Sequence, residues 1–422
     1  MVTIFMIHVK AEEPFFCAIL KFLKKFMQIN MGPLKNLKIL DFTTLIPGPF
    51  ATMMMGDMGA DILKVESPTR VDLVRAMGPF NNGVSTCHSF VNRNKKSISL
   101  DLKKEKSIEI VKRLIMEFDI VIEQFRPGVM RRLGLDYETL KEINEKIIYC
   151  SITGYGQSGP YQNRAGHDNN YLSISGTNGY SGKANEVSPI MGLPIADVAG
   201  GSLHAIIGVL AAVNFRNLNG VGQHIDISMT DCMFAMNGIF GSQFLAAGQK
   251  LSHESTHING GSFYGYYLTK DKKVLSVGSL EPKFLTKLCN LLKISEHLNI
   301  AFSDDPENQR NFKQIIAKKI SEKKLSEWED IFSSEDVCVE PVLSFEDACS
   351  NDQLVSRQMI TSVAHLDGTK EKQVGSAIKF SKTKPRYDYC GAELGYHTEE
   401  TLRSLDYSDA EIASMLSKGE IN

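Results

Sequence analysis

The eight cysteines of this chain form no CxxC pair. A chain of 422 residues can build a full core without disulfides, so reduced thiols in a cytoplasmic setting are expected, each a small buried hydrophobe. Charge of one sign is also missing. The formal net charge of −2 argues against a nucleic acid or an anionic membrane surface as the main partner. There is no P-loop lysine motif, and neither dinucleotide nor nucleoside-triphosphate chemistry is expected. The histidines show no metal-ligand spacing, so no metal is assigned. Long apolar runs are scarce. PFFCAILKFL is short and broken by Lys21, and the run ending at Gly220 reads as a core helix too short to span a bilayer. Repeats and low-complexity tracts are absent.

What remains is ordinary globular composition, 43% hydrophobic and 23% charged, at a length that suits more than one domain. Residues 1–30 carry Lys10, Lys21, Lys24 and Lys25 and are expected to lie outside the fold, with an amphipathic surface helix as the rival reading. From Met31 the pattern becomes regular. LKILDF is a strand, FATMMMGDMGA a helix and ADILKVE a second strand. The basic group Arg93, Lys95 and Lys96 leads into a third strand, and residues 104–118 repeat apolar side chains at Ile108, Val111, Ile115 and Phe118, as an amphipathic helix does. DIVIEQF and KIIYCSITG add two more strands. Strand and helix alternating in this way predict a parallel sheet covered by helices, an α/β class with a Rossmann-like large domain over 31–226. A linker over 227–261, a smaller α+β domain over 262–338 and a return of 339–422 to the large domain complete the expected organisation.

Gly154 to Asp197 carries the chemistry. His167 and Asp168 stand together after a glycine-rich turn, and Asp197 precedes a Gly-Gly pair and a helix. Two proton-transfer groups on separate loops suit acid–base chemistry. Each has a plainer reading. His167 could cap a helix or satisfy the core, Asp168 could be an N-cap or a polar anchor for its loop, Asp197 could cap the helix opening at Gly200, and Glu281 is a normal first-turn acid before Pro282.

Many blocks in order then resemble one family. LDFTTLIPGPFATMMMGDMGADILKVE, NRNKKSISLDLK, FRPGVMRRLGL, ITGYGQSGP, GHDNNYLSISG, ADVAGGS, GVGQHIDISM and GGSFYGYYLTKDKKVLSVGSLEPKF are similar to the class III coenzyme A transferases (CaiB/BaiF), with which the alpha-methylacyl-CoA racemases are grouped. Racemases of this family look like GHDxNY, with EP in the second domain; transferases usually place another residue at the histidine. His167 and Glu281 both match the racemase branch.

The resemblance implies an interlocked homodimer and an acyl-CoA substrate, with no metal or organic cofactor. Racemisation must remove a proton alpha to a thioester and return one to the opposite face, which requires two carriers. By resemblance these are His167 and Asp197, with Glu281 holding the imidazole. The alternative is a coenzyme A transferase in which Asp197 is the nucleophile. Contacts to coenzyme A are implied for Leu100, Asp101, Leu102, Lys103, Arg126, Arg93, Gly166, Asp168, Asn169, Asn170 and Tyr171. The arginine that racemases commonly carry after the second strand is Ser67 here, so either Arg70 replaces it or the other basic residues do.

Overall fold

The computed structural model describes residues 32–421, and the expected N-terminal extension, residues 1–30, lies outside the described residues. Lys38–Asp41 (β1) leads through Pro47–Asp57 (α1) to Asp61–Glu66 (β2). Proline at the start of α1 suits a position whose N–H has no helical partner. Lys95–Ser99 (β3), Glu105–Ile115 (α2), Ile120–Glu123 (β4) and Ile148–Thr153 (β5) follow. Asp168–Ile174 (α3) precedes a π-helical stretch, Ala196–Leu203, that runs straight into His204–Asn219 (α4). Beyond His224–Ser228 (β6) come Met229–Met236 (α5) and Gly238–Ala247 (α6). Gly265–Leu268 (β7), Val274–Val277 (β8), Pro282–Leu292 (α7), Pro306–Ile320 (α8), Leu325–Phe332 (α9) and Val339–Pro341 (β9) form the next group. The chain ends with the hairpin Ile360–Ala364 (β10) and Lys370–Val374 (β11), then Thr398–Ser404 (α10) and Asp409–Ser417 (α11).

The described residues fall into two compact units: one of residues up to 153, 202–226 and 358 onward, the other of 154–201 and 227–357. These boundaries differ from the expected ones. Residues 154–201 and the stretch expected as a linker, 227–261, both group with the second unit.

The first unit is built on a six-stranded sheet of order β3-β2-β1-β4-β5-β6. The pairs β2–β3, β1–β2, β1–β4 and β4–β5 are all parallel. Both faces of such a sheet are covered, so its inner strands are buried rather than alternating: Ile120 to Ile122 are buried without exception. Helix α2 lays Ile110, Val111 and Leu114 against Leu40, Leu63, Ile98 and Val121. Leu402 of α10 and Ile412 and Met415 of α11 enter the same core.

Buried charge is tied into this sheet. Asp41, at the end of β1, accepts hydrogen bonds from the hydroxyls of Thr43 and Thr52 at 2.5 Å each and from Lys95 Nζ at 3.1 Å. Burial alone raises its carboxyl, but Lys95, Lys64 and the two hydroxyls more than offset that and hold it at about 2. Lys64 pairs with Asp72 at 3.1 Å, also fully buried.

In the second unit β9-β8-β7 is an antiparallel sheet. Phe312 and Ile316 of α8, Trp328 of α9 and Leu285 and Leu288 of α7 pack with Tyr267, Leu275 and Val277 of that sheet. Trp328 keeps its indole N–H satisfied by the Ile320 carbonyl at 2.8 Å.

Candidate active site

The glycine-rich turn after β5 is shaped by aromatic packing. Tyr155 meets Tyr161 and Tyr171 edge-on, with centroids 5.8 and 5.3 Å apart. The Arg164 guanidinium lies 3.6 Å from the Tyr161 ring centre. Tyr171 donates its hydroxyl to the Gly166 carbonyl at 2.5 Å. A Cβ on Gly154 would fall 2.3 Å from the Tyr171 ring and one on Gly166 2.7 Å from it, so both positions need glycine. Gly154, Gly156 and Gly159 also have the spacing GxGxxG directly after a strand, which the expectation against dinucleotide chemistry passed over. No helix opens there. The next helix starts at Asp168, so the helix N-terminus that would receive a pyrophosphate in that motif is missing.

His167 is the extended residue just before α3 and is exposed. Its N–H donates to Asn170 Oδ1 at 3.0 Å, and its carbonyl accepts from the N–H groups of Asn170 and Tyr171 at 2.9 and 3.3 Å. Helix α3 is seated by Tyr171 and Leu172 against Met229 and Met233 of α5 and against Ala196. Gly200 allows the π-helical stretch to approach α5, since a Cβ there would stand 3.2 Å from the Met229 carbonyl.

Asp168 performs a longer-range task than capping its own helix. Its Oδ1 accepts from the N–H groups of Ala196 and Asp197, at 2.6 and 3.1 Å. It therefore closes the N-terminus of the helical run that starts at Ala196. Asp197 is the second residue of that run rather than its cap. The helix is longer than expected: Ala196–Asn219 is 24 residues, long and apolar enough by length and composition to cross a membrane, although 39% of its most apolar 18-residue stretch is buried in the protein. A core helix meets the same criterion, and the expectation of a run too short to span is corrected only in length.

The electrostatics of Asp197 follow from this arrangement. Burial pushes its carboxyl up, the Asp168 carboxylate beside it adds to the rise, and the His167 imidazole pulls it down; the outcome is about 6. His167, Asp168 and Asp197 are thus brought together. Glu281 is the residue before α7, exposed, with its carbonyl accepting from the N–H groups of Phe284 and Leu285. Among the described residues no hydrogen bond or ion pair joins Glu281 to His167. Its charge is felt instead by Cys338, whose thiol is raised by burial and then by Glu281.

The family model described as CoA-transferase family III matches residues 34–398. The chain belongs to CoA-transferase family III. It is 31% identical over 405 residues to human succinyl-CoA:glutarate CoA-transferase, covering 93% of this chain and 91% of that protein. It is 32% identical over 391 residues to mouse alpha-methylacyl-CoA racemase, covering 90% of this chain and 96% of that protein. Among solved structures, a CAIB/BAIF family protein from Brucella suis superposes with a TM-score of 0.78 at 28% identity, covering 89% of this chain and all of that one. The likeness to a transferase and to a racemase is about equal.

The remaining candidates of this family III chain lie in its first unit, and they divide by accessibility. Arg126 and Lys103 are exposed, Asp101 and Leu102 are partly so, and Leu100 is buried with its N–H on the Glu66 carbonyl at 2.8 Å. Arg70 is exposed beside a turn in which Ser67 Oγ accepts from the N–H groups of Thr69 and Arg70, at 3.3 Å each. Arg93 does not fit the expectation. It is 1% exposed, its guanidinium grips Asp57 at 2.8 and 2.5 Å, and it donates further to Gln373 and the Val374 carbonyl. Lys95 is equally withdrawn, on Asp41, and only Lys96 of the basic group reaches solvent, paired with Glu400. The sequence reading missed the roles of Tyr155, Tyr161 and Arg164; the clustering of aromatics between the glycines was the available signal.

Proposed function

We propose that this family III enzyme racemises the C2 centre of 2-methylacyl-CoA thioesters by 1,1-proton transfer through an enolate. The observation that carries this reading is the pairing of an exposed imidazole, His167, with a carboxyl raised to about 6, Asp197, in electrostatic contact. An imidazole and a carboxyl raised in this way are a pair of side chains suited to acid–base catalysis. In one direction the Asp197 carboxylate takes the C2 proton and the His167 imidazolium delivers one to the opposite face; in the other direction the roles reverse. These two carriers account for the reaction without metal or organic cofactor. The N–H groups of Asp168 and Asn169 are candidates for the enolate oxygen, because those of Asn170 and Tyr171 are taken by the His167 carbonyl. Glu281, exposed just before α7, suits a carboxylate supplied to the His167 of a second copy in a homodimer. Coenzyme A phosphates are assigned to the exposed Arg126, Arg70 and Lys103, and Arg93 is left out. A cytoplasmic place in the metabolism of branched acyl-CoA lipids fits this chemistry.

The second reading is coenzyme A transfer, favoured by the likeness to succinyl-CoA:glutarate CoA-transferase. Here Asp197 attacks the acyl-CoA carbonyl and coenzyme A leaves as its thiolate; the thiolate then attacks the aspartyl carbonyl of the mixed anhydride, which releases the donor acid and leaves coenzyme A as a thioester on Asp197, and the acceptor carboxylate reverses these two steps to leave as its own coenzyme A thioester. One experiment separates the two. Incubating the enzyme with a chiral 2-methylacyl-CoA in deuterated water and following C2 by NMR gives deuterium uptake with loss of chirality under the first reading. His167→Ala abolishes that exchange. Coenzyme A transfer to an added dicarboxylic acid, with no exchange at C2 and with His167→Ala still active, overturns it in favour of the second.

A further inference from the structure

Away from the candidate active site, the hairpin β10–β11 and the segment after it bring three metal-ligating groups to one point. His365, Glu371 and Cys390 place one ligand atom each within 4.8 Å of one another. His365 Nε2 and Glu371 Oε2 are 3.2 Å apart, about the separation of two ligands on one tetrahedral zinc ion. All three are well shielded: the His365 and Glu371 side chains are 12% and 8% exposed, and Cys390 is 1% exposed. Nothing in the sequence spacing marks them, because the residues come from two strands' ends and a later loop.

The surroundings are those of a built ligand set. Gln373 Nε2 lies 2.7 Å from Glu371 Oε1 and 3.5 Å from Cys390 Sγ. Asn81 Nδ2 lies 3.1 Å from Glu371 Oε2. Gln373 is itself fixed through its Oε1 by Arg93, and Arg93 by Asp57. Donors therefore orient both carboxylate oxygens and the sulfur from behind, as outer-shell groups do around bound metals. Cys390 is set in place by its N–H on the Ala364 carbonyl at 2.8 Å, and its thiol donates to the Val363 carbonyl at 3.7 Å. His365 also lines a cavity of about 500 Å³ with Leu366, Asp367, Gly391 and Ala392, which leaves room for a water as a fourth ligand.

The bland account is an ion pair closing a hairpin beside a packed cysteine. It explains His365 and Glu371. It gives no reason for a sulfur with an amide donor aimed at it, or for an isolated two-stranded ladder that stands outside the main sheet. Two strands alone are marginal, and a metal clip tying them to the Cys390 segment would stabilise them.

We propose that His365, Glu371 and Cys390 form a structural site for one zinc ion per chain, completed by a water from the adjoining cavity. Thiolate with imidazole and carboxylate selects zinc over magnesium or calcium, which take oxygen ligands. Binding breaks the S–H bond of Cys390, forms an Sγ–zinc bond and releases the thiol proton to solvent.

The test uses tag-free, chelator-stripped full-length protein titrated with Zn²⁺ by calorimetry and with Co²⁺ by absorption. The expected result is one equivalent bound with a Kd of about 1 µM or tighter, a thiolate-to-cobalt charge-transfer band, and a rise in Tm on zinc addition. Cys390→Ser removes the charge-transfer band, and His365→Asn and Glu371→Gln each weaken zinc binding by about 10- to 100-fold. If Cys390→Ser does not fold, as judged by circular dichroism, the other two variants decide. Failure of the stripped protein to bind zinc, or affinity unchanged in His365→Asn and Glu371→Gln, overturns the proposal.

Discussion

Replacing Asp197 by Asn separates what this residue does for the reaction from what it costs the fold. In the folded protein the carboxyl holds its proton to about 6, against an ordinary value of 3.8. Linkage converts a rise of that size into about 3 kcal/mol of lost stability once the group is ionised, and solvent screening of a partly exposed carboxylate reduces it to about 1–2 kcal/mol. The sign is fixed by proton counting. Between pH 4 and 6 the folded state binds more protons than the unfolded state, so stability falls as pH rises and the full penalty applies above 6. Asn carries no charge and escapes it. Asp197→Asn is therefore expected to be inactive in both exchange and transfer, yet more stable than the parent at pH 8, by a few degrees in Tm for a unit of this size. The gain shrinks to about half at pH 5 and vanishes near 4. Thermal or urea denaturation of the two proteins at pH 8 and pH 5 measures this. A variant less stable at pH 8, or a difference independent of pH, would refute the placement of Asp197 in a desolvated site beside a second acid.

Two other expectations use the same reasoning. Lys95→Met takes from the buried Asp41 the cation that is hydrogen-bonded to it and is expected to cost about 3–5 kcal/mol by urea denaturation, whereas Lys96→Met, which breaks only an exposed pair with Glu400, changes stability by less than about 0.5 kcal/mol; equal effects would contradict the burial of Lys95. Asp168→Asn keeps an Oδ1 for the N–H groups of Ala196 and Asp197 but removes the charge that helps to raise Asp197, so the acid limb of the pH profile of kcat/KM moves to lower pH. An unmoved limb, in a variant that still folds, means that Asp168 does not act on Asp197 through charge.

The sheet was legible because its signals are local. Ile108, Val111 and Ile115 repeat with a helical period, and α2 forms there; the apolar runs from Ile120 and Ile148 are buried parallel strands. His167 and Asp197 were legible as candidates for the same reason, each standing in a short recognisable block. The failures are all of partnership. Asp168 reads as an N-cap or as a polar anchor for its loop, and neither reading names the N–H groups from which it accepts, those of residues 196 and 197. Arg93 and Lys95 looked like a surface cluster because three basic residues fell within four positions. Their acids, Asp57 and Asp41, lie far back in the sequence and meet them only once α1 and β1 are in place. Periodicity reports which side of an element faces the core, and it cannot report that a buried carboxylate is waiting there.

The chemistry open to Asp197 follows from how the Ala196 helical run is closed. An acid at a helix start normally gains from the free N–H groups and becomes a stronger acid. Here Asp168 occupies the N–H groups of Ala196 and Asp197, and Asp197 takes on burial and a like-charged neighbour that outweigh the pull of His167. A carboxyl held near 6 is ionised enough at neutral pH to attack a thioester and is also a weak enough acid to give a proton back. The aspartate is therefore suited to transfer and to racemisation alike, which matches the near-equal likeness of the chain to enzymes of both kinds. Transfer asks only for the nucleophile and a place for the oxyanion. Racemisation asks for a second proton carrier across the substrate plane, and His167, exposed and electrically coupled to Asp197, is the side chain with that chemistry. Its removal is the perturbation to which the two reactions respond differently.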